Sequence, residues 1–399
     1  MANRKPLEGI RIVDLSHVVS GPFATMVLAE QGADVITVEE MGEGAALRNG
    51  AIARGGVSSI FLNLNHGKRA IAVDLAAEAG REVVLDLIAD ADVVVQNFRP
   101  GVVDRLGIGY EAAAARRSDI VYVSISGYGS SGPYADRPVY DPVIQAISGI
   151  AARQQSEAIP IPDLVRNVMI DKATALSVAQ GLCAALVRRA TGGGGDHLEI
   201  SMLDVDVHFF WPDGMADFTF VGDGVDDGPR IPDLYRITHC ADGQLVYFPA
   251  GDESVIHGLF RAIGRADLCD DPRFNTFEGR RSDDNLATLF SILEQAFAAL
   301  PMRETLDRLH EHGVPAGPVN EPDAVLTDPQ VVHNDTLVTW DHPVAGTIRQ
   351  PRNPVRFGGD PVPVPEFVAG VGEHTDEVLT EIGRTPDEIA ALRANGAVG

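Results

Sequence analysis

Cysteine is scarce in this chain. Cys183, Cys240 and Cys269 are the only three, too few for a disulfide framework, and no CxxC spacing offers a zinc site. Basic residues are short as well. Lys and Arg number 32 against 57 Asp and Glu, a formal charge of −25, and a surface of that sign repels phosphate backbones. Nucleic acid is therefore a poor partner. No apolar run follows Met1 where a secretory signal would lie. The most apolar stretch, Ala173 to Val187, is interrupted by Gln180 and falls short of the ~18 residues of a membrane span. The expectation is a soluble, cytoplasmic chain with reduced thiols and no membrane partner.

Several catalytic signatures are missing too. There is no GxxxxGK[ST] phosphate loop, no GxSxG elbow of a serine hydrolase, and no HExxH. The eleven histidines form no cluster with metal-ligand spacing, so no metal is expected. Gly127-Tyr-Gly-Ser-Ser-Gly132 does match GxGxxG after a strand pattern. A dinucleotide site needs that motif to open a helix, and Pro133, Pro138 and Pro142 forbid an immediate one. A nicotinamide or flavin fingerprint is rejected on that ground. The four glycines from Gly192 to Gly195 read as a turn.

What is present is the material of a folded core. Hydrophobic residues make up 45% of the 399 positions, outside the range of disordered chains. At about 150 residues per domain the length suggests two or three units. Through the first 130 residues, strand and helix periods alternate. Strands are expected at Gly9–Leu15, Ala33–Val38, Arg69–Leu75, Asp92–Gln96 and Asp119–Ile125. Helices are expected at Phe23–Gln31, Glu78–Ala89 and Val102–Arg117, with an irregular stretch from Gly42 to Val57. That alternation implies an α/β fold whose parallel sheet is covered on both faces, with ligands outside the carboxyl ends of the strands. A helix pair, Pro142–Ala151 and Lys172–Arg189, precedes a further strand at His197–Ile200. From about Asp223 the pattern becomes a smaller α+β unit, with an Asp-Gly hairpin around Asp242-Gly243 and helices at Glu253–Ile263, Asp284–Ala298 and Met302–His312. Short strands follow over Val331–Arg356, then two terminal helices, Thr375–Ile382 and Pro386–Ala394. The proline-rich Asp360–Glu366 reads as a linker or extended arm.

Asp171 is the chemically suggestive residue. It precedes the apolar helical positions Leu176, Ala179, Leu182 and Leu186, where an aspartate ordinarily caps the helix and has its pKa lowered by backbone N–H groups. A carboxylate kept ionised there also has the makings of a nucleophile, given access to substrate.

Taken in order, the segments resemble the class III coenzyme A transferases, a family that includes formyl-CoA and carnitine CoA-transferases and α-methylacyl-CoA racemase. The resemblance rests on Pro6-Leu-Glu-Gly-Ile-Arg-Ile-Val-Asp-Leu15, Ser20-Gly-Pro22, Gly32-Ala-Asp-Val-Ile36, Lys68-Arg69, Asn97-Phe-Arg-Pro-Gly101 and Tyr140-Asp141. It continues in Asp271-Pro-Arg-Phe274, Gly313-Val-Pro-Ala-Gly-Pro-Val319 and Gly372-Glu-His-Thr375. The resemblance implies a Rossmann-like large domain over 1–222, an inserted small domain over 223–328, a return to the large domain over 329–399, and an interlocked homodimer. It implies transfer of CoA from an acyl-CoA to a free carboxylic acid, with acyl-CoA as substrate and no permanently bound cofactor.

By position the family nucleophile falls on Asp171. The CoA contacts fall on Val19, Ser20, Val73, Asp74, Leu75, Asn97, Phe98, Arg99, Arg105, Tyr140 and Asp141. Two departures stand out. Where some members have an arginine beside the adenine nucleotide, this chain has Glu39-Glu40, with Arg48 as the nearest replacement. The equivalent of the glycine-rich lid, Pro249–Glu253, holds one glycine. Tyr140 occupies the place of the racemase histidine. A tyrosine with a pKa near 10 suits α-proton abstraction poorly, so racemase is the alternative rather than the reading. A non-catalytic CoA-binding member of the fold is the other alternative.

Overall fold

A computed structural model describes residues 5–50, 52–155, 159–225, 234–280 and 282–399. The chain divides into two compact units. One comprises residues 1–152, 163–209 and 332–399, the other residues 153–162 and 210–331.

The first unit is organised by six strands: β1 (Arg11–Asp14), β2 (Asp34–Glu39), β3 (Arg69–Ala72), β4 (Val93–Gln96), β5 (Val121–Ser126) and β6 (Asp196–Ser201). All pair in parallel, in the order 3-2-1-4-5-6. Val13, Ile36, Ile71, Val83, Leu87, Val94 and Tyr122 are fully buried in one cluster, as expected of strands covered on both faces. The terminal helices Thr375–Glu381 and Pro386–Ala394 add Val378, Leu379 and Ile389 to it. Chain order reverses between β1 and β4, and at such a point the loops diverge and open a crevice.

Each strand expected over residues 9–125 is present within a few residues. Three elements differ. Residues 59–65 form a helix started by Ser58, whose hydroxyl accepts from the Phe61 N–H. Val102–Arg117 is two helices, Val102–Leu106 and Tyr110–Arg116, because Gly107 adopts φ 73° and ends the first in left-handed geometry. Met202–Gly214 is helical although Pro212 lies inside it. No helix follows Gly132 until α2 (Asp141–Ser148), as the prolines require. The helix expected from Lys172 begins at Met169 and ends at Arg188; this is α3, and α1 is Ser20–Glu30. By length and composition alone, α3 continuing to Gly193 is apolar enough to cross a membrane, contrary to the expectation for Ala173–Val187. Its Ile170, Thr174, Val178 and Leu182 are fully buried in this unit.

The second unit has a three-stranded antiparallel sheet of Ile237–His239, Leu245–Tyr247 and Gly317–Pro318, with Gly243 at φ 78° in the hairpin turn. Helices Glu253–Ala262, Asp283–Phe297 and Met302–Glu311 bury Leu259, Phe260, Leu293, Phe297 and Leu309 with it. Within Pro249–Glu253, Asp252 caps the first of these helices by accepting from the Val255 N–H.

Candidate active site

α1 begins directly after β1, and its start is crowded. A Cβ on Gly21 would lie 2.2 Å from the Ser16 side chain, so only glycine fits. The first turn is anchored from below by a fully buried ion pair, Lys68 Nζ to Asp14 Oδ2 at 3.1 Å. Lys68 also donates to the Pro22 carbonyl and to Asn65 Oδ1, both at 2.9 Å, while Thr25 Oγ1 donates to Asp14 at 2.5 Å. Burial alone would raise the Asp14 carboxyl. The Lys68 ammonium and the hydroxyls of Ser16 and Thr25 overcome it and hold Asp14 below the usual carboxylate range.

Between β1 and α1, Val18 has φ 66°, an outlier for a β-branched residue and a strained one. The turn is held from β4: Asn97 Oδ1 accepts from the His17 N–H at 2.8 Å, and Asn97 Nδ2 donates to the His17 carbonyl at 2.7 Å. The amide of Asn97 thus joins the two diverging loops. The rings of His17 and Phe98 meet edge to face at 5.0 Å. Burial lowers the His17 pKa, against the pull of Asp14, Glu39 and Glu40, so its imidazole is neutral at pH 7.

Asp171 sits at the third position of α3, not at its cap. The capping expectation is corrected here, because the cap comes from elsewhere. Asp141 Oδ2 accepts from the Ile170 and Asp171 N–H groups at 2.6 and 2.9 Å, and Gln145 Nε2 donates to Asp141 Oδ1 at 2.5 Å. Asp141 therefore does for α3 what a local N-cap would do. The Asp171 carboxyl is left free of the backbone and nearly buried, at 7% exposure. Its pKa moves opposite to the expected direction. Burial raises it, the nearby Asp141 carboxylate raises it further, and a hydrogen bond from Ser20 opposes both, leaving it pushed up to about 6.

Asp171 opens into a cavity of about 280 Å³ lined by Ser20, Asn97, Phe98, Arg99 and Tyr140 among others. His17 and Phe98 form a shared wall with a second cavity, of about 580 Å³, over the carboxyl ends of β1, β2 and β3. Val73, Asp74 and Leu75 line this second cavity. The crevice of the sheet thus holds nine of the twelve site residues expected from sequence, with Asp141 directly behind Asp171. Val19 is buried and lines a separate, largely apolar cavity along α1; Val18 takes its place in the crevice. Arg105 is exposed on Val102–Leu106 and lines neither cavity of the crevice. Sequence reasoning missed His17, Val18 and Arg137, which line the Asp171 cavity. For Arg137 the available signal was a cation in the proline-spaced loop before Tyr140. Arg48 does not replace the missing arginine: its Nε and Nη2 donate to Glu39 at 2.7 and 2.5 Å, and its guanidinium lies 4.0 Å over the Phe61 ring. Among the described residues no group of three or more His, Cys, Asp or Glu is placed to hold a metal ion.

Two substitutions test this electrostatic arrangement. Asp141→Asn removes the like charge, so the Asp171 pKa should fall, while the weaker cap costs about 0.5–2 kcal/mol of stability. Ser20→Ala removes the opposing hydrogen bond, so the Asp171 pKa should rise. Carbon-detected NMR titration of the Asp171 carboxyl in both variants reads the two directions; shifts of one sign in both would refute the assignment of causes.

Comparison with known proteins finds relatives over almost the full chain. Residues 7–375 match the family model described as CoA-transferase family III. The formyl-CoA:oxalate CoA-transferase of Streptomyces avermitilis is 32% identical over 99% of this chain and 100% of its own length. The human succinyl-CoA:glutarate CoA-transferase is 32% identical over 100% of this chain and 91% of its own. Among solved structures, a CAIB/BAIF family protein from Brucella suis superposes with a TM-score of 0.79 at 30% identity, covering 95% of this chain and 100% of that one. The protein Rv3272 from Mycobacterium tuberculosis gives a TM-score of 0.82 at 30% identity, covering 94% and 99%.

Proposed function

The chain belongs to CoA-transferase family III, and from that premise we propose that it transfers coenzyme A from an acyl-CoA to a free carboxylic acid, with Asp171 as nucleophile. The observation that carries the proposal is the uncapped, nearly buried Asp171 carboxylate facing the crevice at the sheet's switch point. One carboxylate oxygen of Asp171 attacks the thioester carbonyl, and the CoA thiolate leaves, giving a mixed anhydride. The thiolate then attacks the aspartyl carbonyl, releasing the first acid as its carboxylate and leaving an aspartyl-CoA thioester. The acceptor carboxylate attacks that thioester and expels the thiolate again. Thiolate attack on the acyl carbonyl of the new anhydride yields the new acyl-CoA and frees Asp171. Covalent catalysis of this kind divides one difficult exchange into matched steps.

A pKa of about 6 suits the role. At pH 7 the group is mostly ionised, yet it is more basic, and so a better nucleophile, than an ordinary aspartate. kcat/KM should rise with pH through about 6 and level off above it. A rate unchanged from pH 5 to 7, with chemistry rate-limiting, would rule out ionisation of Asp171 as the controlling step. Ser20 hydrogen-bonds the nucleophile, and Arg99 and Arg137, which line the same cavity, offer cations to the CoA diphosphate. The same proposal includes an interlocked homodimer, with light scattering expected to give twice the chain mass.

The test incubates the protein with a panel of acyl-CoAs and free acids, among them oxalate and glutarate, and follows CoA exchange by mass spectrometry. Exchange for at least one pair is expected. Solvent deuterium entering the α-carbon of a 2-methylacyl-CoA, with no CoA transfer, would instead establish the racemase reaction.

A further inference from the structure

The two cavities of the crevice differ in the sign of their charged residues. Around Asp171 the lining includes Arg99 and Arg137, and neither makes an ion pair among the described residues. The 580 Å³ cavity has three carboxylates in its lining, Glu39, Glu40 and Asp74, and no Lys or Arg. Glu39 is neutralised: its two oxygens take the Arg48 guanidinium, and Oε2 also accepts the Ala45 N–H at 2.8 Å. Asp74 Oδ1 accepts only from the Ala76 N–H, at 2.8 Å, and Glu40 is exposed, with no ion pair among the described residues. One further cation comes close. Arg81 donates through Nη1 to the carbonyls of Leu75 and Ala76, at 3.1 and 2.7 Å, and is held at the rim. Two unneutralised carboxylates therefore remain.

Their place in the fold gives this meaning. In doubly wound sheets the residue at the end of β2 meets the adenosine ribose: a carboxylate accepts from its hydroxyls, whereas an arginine accommodates a ribose phosphate. Here β2 ends at Glu39 and Glu40 follows it. Resting on the reading of this crevice as the CoA site, we propose that Glu40 and Asp74 make the adenosine cavity select against a ribose phosphate. It is built for a ribose with free hydroxyls, and 3′-dephospho-CoA and its thioesters bind more tightly than CoA and its thioesters. The arginines at the other end serve the diphosphate, which both ligands carry.

Calorimetric titration of the full chain with CoA and with 3′-dephospho-CoA at low salt tests this directly. Like-charge repulsion at an exposed site predicts about fivefold tighter binding of the dephospho form, with the difference shrinking as salt screens it. Glu40→Gln should narrow the ratio, and Glu40→Arg should reverse it in favour of CoA. Equal affinities, or tighter CoA binding by the unaltered protein, would overturn the ribose inference while leaving the CoA site intact. Absence of binding by either ligand would remove the site assignment and the inference with it.

Discussion

Asp171→Asn should lower kcat for CoA exchange by roughly four orders of magnitude or more, as loss of a covalent nucleophile does. The same variant should also be more stable than the wild type. The folded-state pKa of Asp171 is raised from 3.8 to about 6, so between those values the native protein binds the extra proton and stability falls as pH rises. Above pH 6 the full cost of keeping the group ionised is present, roughly 2–3 kcal/mol at 1.36 kcal/mol per unit. An amide carries no such cost. A purely structural aspartate would behave otherwise, since its removal would destabilise the fold. The check pairs turnover with thermal denaturation at pH 7 and pH 5. The variant should melt higher at pH 7, with the gap narrowing at pH 5. Hydroxylamine trapping after acyl-CoA addition should modify Asp171 in the wild type alone. Substantial turnover in a variant verified free of deamidation would return Asp171 to a structural role.

Lys68→Met should destabilise the first unit by about 3–5 kcal/mol, because it leaves Asp14 charged and buried without its counter-ion. Lys68 is fully buried, and its ammonium also satisfies the Pro22 carbonyl and Asn65, so three partners lose a donor at once. Urea denaturation followed by a probe in this unit should show the midpoint falling. Stability loss should be accompanied by slower exchange, since Pro22 belongs to the same first turn of α1 as Ser20, which hydrogen-bonds Asp171. A loss under about 1 kcal/mol would mean that water or rearrangement satisfies Asp14 in place of the lysine.

The sheet was readable because its strands are short Val- and Ile-rich runs with helical periods between them, a local signal. Gly107 shows where local reading stops: the apolar pattern continues through it, and only its left-handed backbone divides the helix. The helix at residues 59–65 lacks a long periodic stretch and is set by the Ser58 cap. At the site, the positions of Ser20, Asp74, Asn97 and Asp171 followed from the resemblance and the strand ends. Their roles did not. Asn97 spends both polar groups on the His17 backbone, and nothing near Asn97 in sequence reveals that bond across 80 positions. Asp171 looked like a cap because Asp141, 30 residues earlier, could not be seen to fill the role. For the same reason its pKa was read with the wrong sign.

That borrowed cap also has a bearing on timing. A helix capped by its own neighbour can start as soon as its residues leave the ribosome. α3 must wait for α2 to dock before its first turn gains the Asp141 acceptor. The Asp171 carboxylate meets its like-charged neighbour only at that moment, so its raised proton affinity arises with tertiary assembly rather than before it. During refolding, uptake of a proton near pH 5 by this one group would serve as a clock for completion of this pocket, separable from the earlier appearance of helical signal.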